Sequence, residues 1–166
     1  MVRPDVQVAS VTDVTPALLA QLGVRGLLVD LDDTLIASDA DALGAEAEAW
    51  LHEVRREGIA LAILSNGERA RVRRLGERIG VPAFALVGKP FAFAFRKGLA
   101  ALGTSREATA MVGDQLFTDV LGANCAGITS ILVRPLTPGK LPHTRVARRL
   151  ERLILSGGSR GSPVDR

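Results

Sequence analysis

The sequence predicts a doubly wound α/β domain, a parallel sheet covered by helices on both faces in three αβα layers. Short, continuous apolar runs, the pattern of strands buried on both sides, alternate with amphipathic stretches of helical period. The polar residues of those apolar segments also gather at one end of each run, the edge where such sheets bind ligands. With 166 residues, 47% of them hydrophobic, the chain can bury a core without a disulfide or a structural metal.

Residues 26–31 (GLLVDL) form the first apolar run. Residues 41–57 read as a helix: Leu43, Ala47, Trp50, Leu51 and Val54 recur at helical spacing and Gly58 ends it. Residues 59–64 (IALAIL) are the second run. A helix over 68–79, Arg-rich on its outer face, closes at Gly80. Residues 83–87 (AFALV) are the third run, followed by a helix over 91–102 that starts just after Pro90. Residues 109–112 are the fourth run, with a helix near 117–124, and residues 128–133 are the fifth. A last helix is predicted over 141–155. One domain is expected over 1–155, and the Gly/Ser-rich stretch 156–166 (SGGSRGSPVDR) reads as a disordered tail.

The net charge of +3 is unevenly spread. Residues 134–166 carry eight Lys/Arg and two acids, which leaves −3 on residues 1–133. The single cysteine, Cys125, excludes an internal disulfide, fits a reducing compartment, and is expected as a small buried core residue. No apolar run reaches the ~18 residues of a membrane span, and the first ten residues lack a signal-peptide core, so the expected location is the cytoplasm. Arg145, Arg148, Arg149 and Arg152 share one face of the predicted last helix. That face is either solvated or an anion patch suited to an anionic membrane surface or RNA.

The first run ends in Asp30-Leu31-Asp32-Asp33-Thr34, the second in Ser65-Asn66-Gly67 and the third in Gly88-Lys89-Pro90. The fourth ends in Gly113-Asp114, with Asp119 five residues later. Two like charges ~4 Å apart repel by about 4 kcal/mol at an effective dielectric of 20, and one lysine cannot offset several carboxylates. A divalent cation can. With oxygen donors and no His or Cys in these segments, Mg²⁺ is favoured over Zn²⁺. Ser65, Asn66 and Lys89, with backbone N–H groups of the helix start after Ser65, match a phosphate. Asp30 and Asp32, if extended, project to one side. One can attack phosphorus and the other protonate the leaving oxygen, then activate water. Lys89 is one of only three lysines among 21 basic residues. Asp13, Asp33, Asp39 and Asp41 read as caps or turn formers, and Asp119 has a helix-capping alternative. His52 and His143 have no partner pattern. Trp50, Phe91, Phe93 and Phe95 read as packing, with Phe91 to Phe95 as an alternative rim of the site.

D-x-D-D-T, an apolar run ending in Ser, Lys-Pro and G-D-x4-D, in that order, resemble the four motifs of the haloacid dehalogenase (HAD) superfamily. VGDQLFTDVLGANCAG, GKPFAFAFRK and SVTDVTPALLAQLGVRGLLVDLDDTL are similar to its subclass IIIA phosphatases of the YqeG type, relatives of mitochondrial phosphatidylglycerophosphate phosphatase. The resemblance spans about residues 11–135. It implies Asp30 as nucleophile and metal ligand, and Asp32 as general acid/base with its backbone carbonyl on the metal. Ser65 and Lys89 would hold phosphate and the phosphoenzyme; Asp114 would ligate Mg²⁺, and Asp119 would ligate it or stand behind its ligands. Asp at position 32 resembles the phosphatase branch rather than the ATPases.

The gaps 34–59 and 65–89 leave no room for the cap domain such enzymes often carry. An open site suits a bulky phosphate ester or a second subunit as cover. The expected function is a Mg²⁺-dependent phosphomonoesterase acting through an aspartyl-phosphate, with phosphatidylglycerophosphate as candidate substrate. The alternatives are a nucleotide or nucleic-acid-end phosphatase, a phospho-accepting receiver domain and a silent scaffold. A receiver places its lysine last, unlike Lys89 here.

Overall fold

The computed structural model describes residues 2–137. The predicted helix over 141–155, its arginine face and the tail over 156–166 lie outside the described residues. The elements run β1 (Val6–Gln7), α1 (Pro16–Gln21), β2 (Gly26–Val29), α2 (Ala45–Arg56), β3 (Ala60–Leu64), α3 (Arg69–Ile79), β4 (Ala83–Phe84), α4 (Ala92–Leu102), β5 (Thr109–Gly113), α5 (Leu121–Ala126) and β6 (Thr129–Leu132). The six strands lie in the order β1-β6-β5-β2-β3-β4, every pair parallel.

Strand alternation divides the core into two layers. Leu27 and Val29, Leu61 and Ile63, and Ala110 and Val112 face a cluster with Trp50, Leu51 and Val54 of α2 and Val72 and Leu75 of α3. Leu28, Ala62, Leu64 and Met111 face the other way, against Ala94 and Phe95 of α4 and Ala123 and Ala126 of α5. The three-layer αβα arrangement follows directly. Trp50 also donates its indole N–H to the Val14 carbonyl at 2.8 Å, tying α2 to the chain before α1.

The chain leaves β2 outward to β3 and β4, then returns to the other side of β2 as β5 and continues to β6. That reversal makes a crevice at the carboxyl ends of β2 and β5, and ligands of open α/β sheets bind at such a point. Between β2 and β3 the chain places only α2, and between β3 and β4 only α3. No cap domain is inserted among the described residues.

Two parts of the fold depart from expectation. β1 and α1 carry no run long enough to read. β1 is a two-residue edge strand, held by the Asp5 carboxylate accepting from the Ser130 N–H and hydroxyl at 2.8 and 2.7 Å. The third run, expected extended over 83–87, stops at Phe84. Leu86 takes a left-handed φ of 47°, Gly88 one of 72°, and the Leu86 N–H bonds the Gly67 carbonyl. The turn swings Lys89 back over the loop after β3, and Leu86 ends half-exposed rather than buried.

Candidate active site

Asp30 is the residue after β2, and its N–H continues the ladder to the Val112 carbonyl at 2.9 Å. Asp114 follows β5 directly. Asp119 lies on a π-helical turn, Leu116–Val120. The turn carries the Asp119 carboxylate back against the end of β5: a Cβ at Gly113 would collide with it, so only glycine fits there. Its Oδ2 accepts the Gln115 N–H at 3.1 Å, so the capping contact belongs to the same side chain that joins the buried cluster. Asp30, Asp114 and Asp119 are all buried, and each offers a carboxylate oxygen within 4.8 Å of the others.

Lys89 enters this cluster from the loop after β4. Its Nζ donates to Asp30 Oδ1 at 2.7 Å and to Asp119 Oδ1 at 2.6 Å, and its side chain is 2% exposed. Asn66 holds the lysine's backbone from both sides: its amide oxygen accepts the Lys89 N–H at 2.9 Å and its amide N–H donates to the Lys89 carbonyl at 3.1 Å. Asn66 thus ties the loop after β3 to the one bearing Lys89. Ser65 is buried at the end of β3, its hydroxyl oxygen accepting the Gly67 N–H at 3.0 Å. The helix start behind it is less open to an anion than expected, because Glu68 caps α3 by accepting the Ala70 N–H.

The electrostatics follow from one buried cation among three buried carboxylates. Burial raises Asp30 to about 7; Lys89 pulls it down, and Asp119 and Asp32 push it up. Burial raises Asp114 to about 8, reinforced by repulsion from Asp119, Asp30 and Asp33. Burial lowers the Lys89 ammonium, but Asp119 and Asp30 overcome it and hold the lysine above its ordinary range. Lys89 compensates one charge and leaves the cluster acidic. All-oxygen donors at this spacing fit a hard divalent cation.

Asp32 sits apart from these three. The chain bends after Asp30, Asp32 bridges to Ile36, and Asp33 adopts a left-handed φ of 62°. Asp32 Oδ2 and Ser65 Oγ both crowd Gly67, at 2.9 and 3.0 Å from where a Cβ would stand. Its other oxygen, Oδ1, is gripped by Arg71, with Nε at 3.2 Å and Nη2 at 3.1 Å. Arg71 also donates to the Ala40 carbonyl at 2.8 Å. Sequence reading placed the α3 arginines outward and missed Arg71. The available signal was its position near the start of the helix that follows Ser65. Asp33 is the expected turn residue: its carboxylate accepts the Ser38 N–H and the Thr137 hydroxyl, and its carbonyl accepts the Leu136 N–H. Thr34 reaches Asp114 Oδ1 at 3.4 Å. Asp13 is the expected cap, reciprocating with Ser10.

Two packing expectations are corrected. Cys125 is exposed, because α5 buries Gly122, Ala123 and Ala126 and turns position 125 outward. Of the three phenylalanines only Phe95 is buried, against Gly122 of α5. Phe91, at the N-cap of α4, and Phe93 are exposed and stack on each other with centroids 6.0 Å apart.

A family described as HAD-hydrolase-like matches residues 86–137. The probable phosphatase YqeG of Bacillus subtilis is 35% identical over 153 residues, covering 92% of this chain and 89% of that one. A phosphoserine phosphatase of Thermus thermophilus is 41% identical over 115 residues, 61% of this chain and 46% of its own. Phosphatidylglycerophosphate phosphatase 1, chloroplastic/mitochondrial, of Arabidopsis thaliana is 26% identical over 176 residues, 99% of this chain and 51% of its own. The chain therefore spans about half the length of the last two. In fold it is similar to the cobalt-bound deoxy-D-mannose-octulosonate 8-phosphate phosphatase of Haemophilus influenzae, with a TM-score of 0.55, 18% identity and 68% and 69% of the two chains covered.

The fold and these relatives define a phosphatase of the HAD-like hydrolases. Within that class the chain belongs to the YqeG family.

Proposed function

We propose that this phosphatase is a Mg²⁺-dependent phosphomonoesterase that works through an aspartyl-phosphate on Asp30. The observation that carries the reading is Lys89, fully buried and shared between Asp30 and Asp119. It fixes the Asp30 carboxylate beside a cation where transferring phosphoryl oxygens would collect charge. Asp30, the Asp32 backbone carbonyl, Asp114 and Asp119 would hold Mg²⁺, which supplies charge neutralisation on the phosphoryl group when bound.

The chain's own residues account for the bond changes. Asp30 attacks phosphorus while the bond to the leaving oxygen breaks, and Asp32 gives that oxygen a proton. Water then attacks phosphorus, Asp32 takes its proton, and the Asp30–phosphorus bond breaks to release inorganic phosphate. Arg71 engages Oδ1 of Asp32 and leaves Oδ2, on the Gly67 side, for this proton traffic. The Ser65 hydroxyl and Lys89 hold the phosphoryl oxygens. Asn66 serves chiefly by positioning the Lys89 backbone.

The candidate substrate is phosphatidylglycerophosphate. The plant relative's name, a match that takes in 99% of this chain and 51% of that one, and the capless site support a bulky lipid ester. The nucleotide or nucleic-acid-end reading draws on Arg145, Arg148, Arg149 and Arg152 of the sequence, outside the described residues. No helix among the described residues is long and apolar enough to cross a membrane. We place the enzyme in the cytoplasm, peripheral at the membrane.

The test is phosphate release, with and without Mg²⁺, by wild type and Asp30→Asn. The substrates are phosphatidylglycerophosphate in mixed micelles, phosphoserine and p-nitrophenyl phosphate. Metal-dependent release from the lipid, abolished in Asp30→Asn, is expected. Release from phosphoserine but not the lipid would reassign the substrate. Undiminished release by Asp30→Asn would overturn the mechanism.

A further inference from the structure

Among the described residues, the large apolar side chains left exposed are Leu86, Phe91, Phe93, Phe117 and Leu136. Single exposed apolar residues are ordinary, but a clustered set marks an interaction surface. All five stand at the carboxyl edge of the sheet. Leu86, Phe91 and Phe93 flank Lys89, and Phe117 lies between Asp114 and Asp119. Leu136 follows β6, its N–H bonded to the Asp33 carbonyl at 2.9 Å. They form a crown around the site's opening. Phe93 covers Gly88, whose Cβ would lie 2.9 Å from the ring, and it stacks on Phe91.

A fringe of cations borders the crown. Arg69, Arg96, Lys97 and Arg134 are exposed, and none pairs with a carboxylate among the described residues. Arg96 and Lys97 follow Phe93 by three and four residues on α4, hence on its side of the helix. Beside β4, Arg69, Arg73 and Lys97 line a groove of about 560 Å³ floored by Phe84, Ala85 and Val87. Aromatic tips with unpaired cations set behind them are the arrangement of a protein that rests on an anionic bilayer.

We infer that this crown is a docking surface for an anionic lipid bilayer, with the aromatic tips in the acyl boundary and the cationic fringe among the headgroup phosphates. Docked this way, the site opens against the bilayer. The inference deepens the lipid-ester reading above and rests on it for its purpose. Charge argues for this occupant. A second copy set symmetrically against the crown would bring the cationic fringe onto itself.

The test is sedimentation of the full-length chain with vesicles of phosphatidylcholine alone and with phosphatidylglycerol added. Wild type should bind the anionic vesicles and little of the neutral ones. Phe91→Ser/Phe93→Ser should weaken that binding on the order of tenfold or more. Arg69→Ser/Lys97→Ser should weaken it about fivefold for each charge. Phe117→Ser is a second, independent probe of the crown, and all variants should melt like wild type. Failure of wild type to bind, or equal binding by the phenylalanine variants, overturns the inference; equal binding would assign the attraction to the basic segment beyond residue 137. Vesicle binding left intact while the serine variants melt lower, or become monomers from a dimer, also overturns it. Hydrolysis of p-nitrophenyl phosphate by wild type is read separately. A protein active on that ester but unable to bind vesicles loses the docking surface and keeps the enzyme. One that binds but never hydrolyses does the reverse.

Discussion

Lys89 and Arg71 each bring a cation to an aspartate of the loop after β2, but from different kinds of position. Lys89 comes from a loop at a strand end, is fully buried, and serves two carboxylates. Arg71 comes from the side of α3, its side chain is 17% exposed, and its partner Asp32 is 31% exposed. In the first cluster, low dielectric makes every charge expensive, so removing one member changes the whole balance. In the second, water screens the pair and the gain is mostly geometric. Perturbing the Lys89 cluster should therefore change stability and turnover together, whereas perturbing the Arg71 cluster should change turnover with little effect on stability.

The largest effect expected is that of Asp30→Asn. Turnover should fall by on the order of 10⁴ or more, because the proposed nucleophile is gone. The metal-free protein should nonetheless melt higher than wild type, since one buried carboxylate leaves a repelling group. Thermal melts in EDTA read this directly, and a lower melting temperature would show that Asp30 is not under electrostatic strain. Lys89→Ala should do the opposite to stability. It strands three buried carboxylates and should cost roughly 3–5 kcal/mol, with turnover lost as well. Urea unfolding with and without Mg²⁺ checks it, and added cation should recover part of the stability.

A medium effect is expected from pH. Asp30 and Asp114 have folded values of about 7 and about 8 against an ordinary 3.8. The metal-free folded state therefore holds protons that the unfolded chain has already released, and stability falls as pH rises. The contribution is complete below about pH 4, declines between about 4 and 8, and amounts to on the order of a few kcal/mol. A cation that binds only the ionised, folded cluster opposes this decline. Melting temperature in EDTA should thus fall from pH 5 to pH 8, while in Mg²⁺ it should fall less. Parallel profiles in the two conditions would mean that the cluster does not bind the ion.

The contrast also marks what could be read from the sequence. Strands buried on both faces are continuous apolar runs, so their ends could be located, and Asp30, Ser65 and Asp114 with them; Lys89 stands at the end of an apolar run whose strand stops at Phe84. Helix faces were less legible. Arg71 is one of five arginines in α3, and its place near the helix start after Ser65, which Arg69 shares, is the one signal that marks it. The turn at Leu86 depends on a bond to the Gly67 carbonyl, a contact across 19 residues that local pattern does not encode. β1 is too short for periodicity, and it is held by a side-chain bond across 125 residues. Phe91 and Phe93 read as core because composition carries no direction. The alternative of a rim position stands beside that reading, and α4 leaves Phe91 and Phe93 exposed and Phe95 buried.

The smallest effect expected comes from Arg71→Lys. A lysine keeps the charge but loses the fork that holds Asp32 Oδ1 through Nε and Nη2 while also donating to the Ala40 carbonyl. Stability should drop by no more than about 1 kcal/mol, as for a partly exposed pair. If Arg71 positions Asp32 for proton transfer, kcat should fall roughly 10–100-fold, with KM little changed. A substrate whose leaving group needs no proton, such as p-nitrophenyl phosphate, should lose less than an alkyl ester does. That selectivity separates positioning from support of the fold, because a general loosening of the loop would slow both substrates alike.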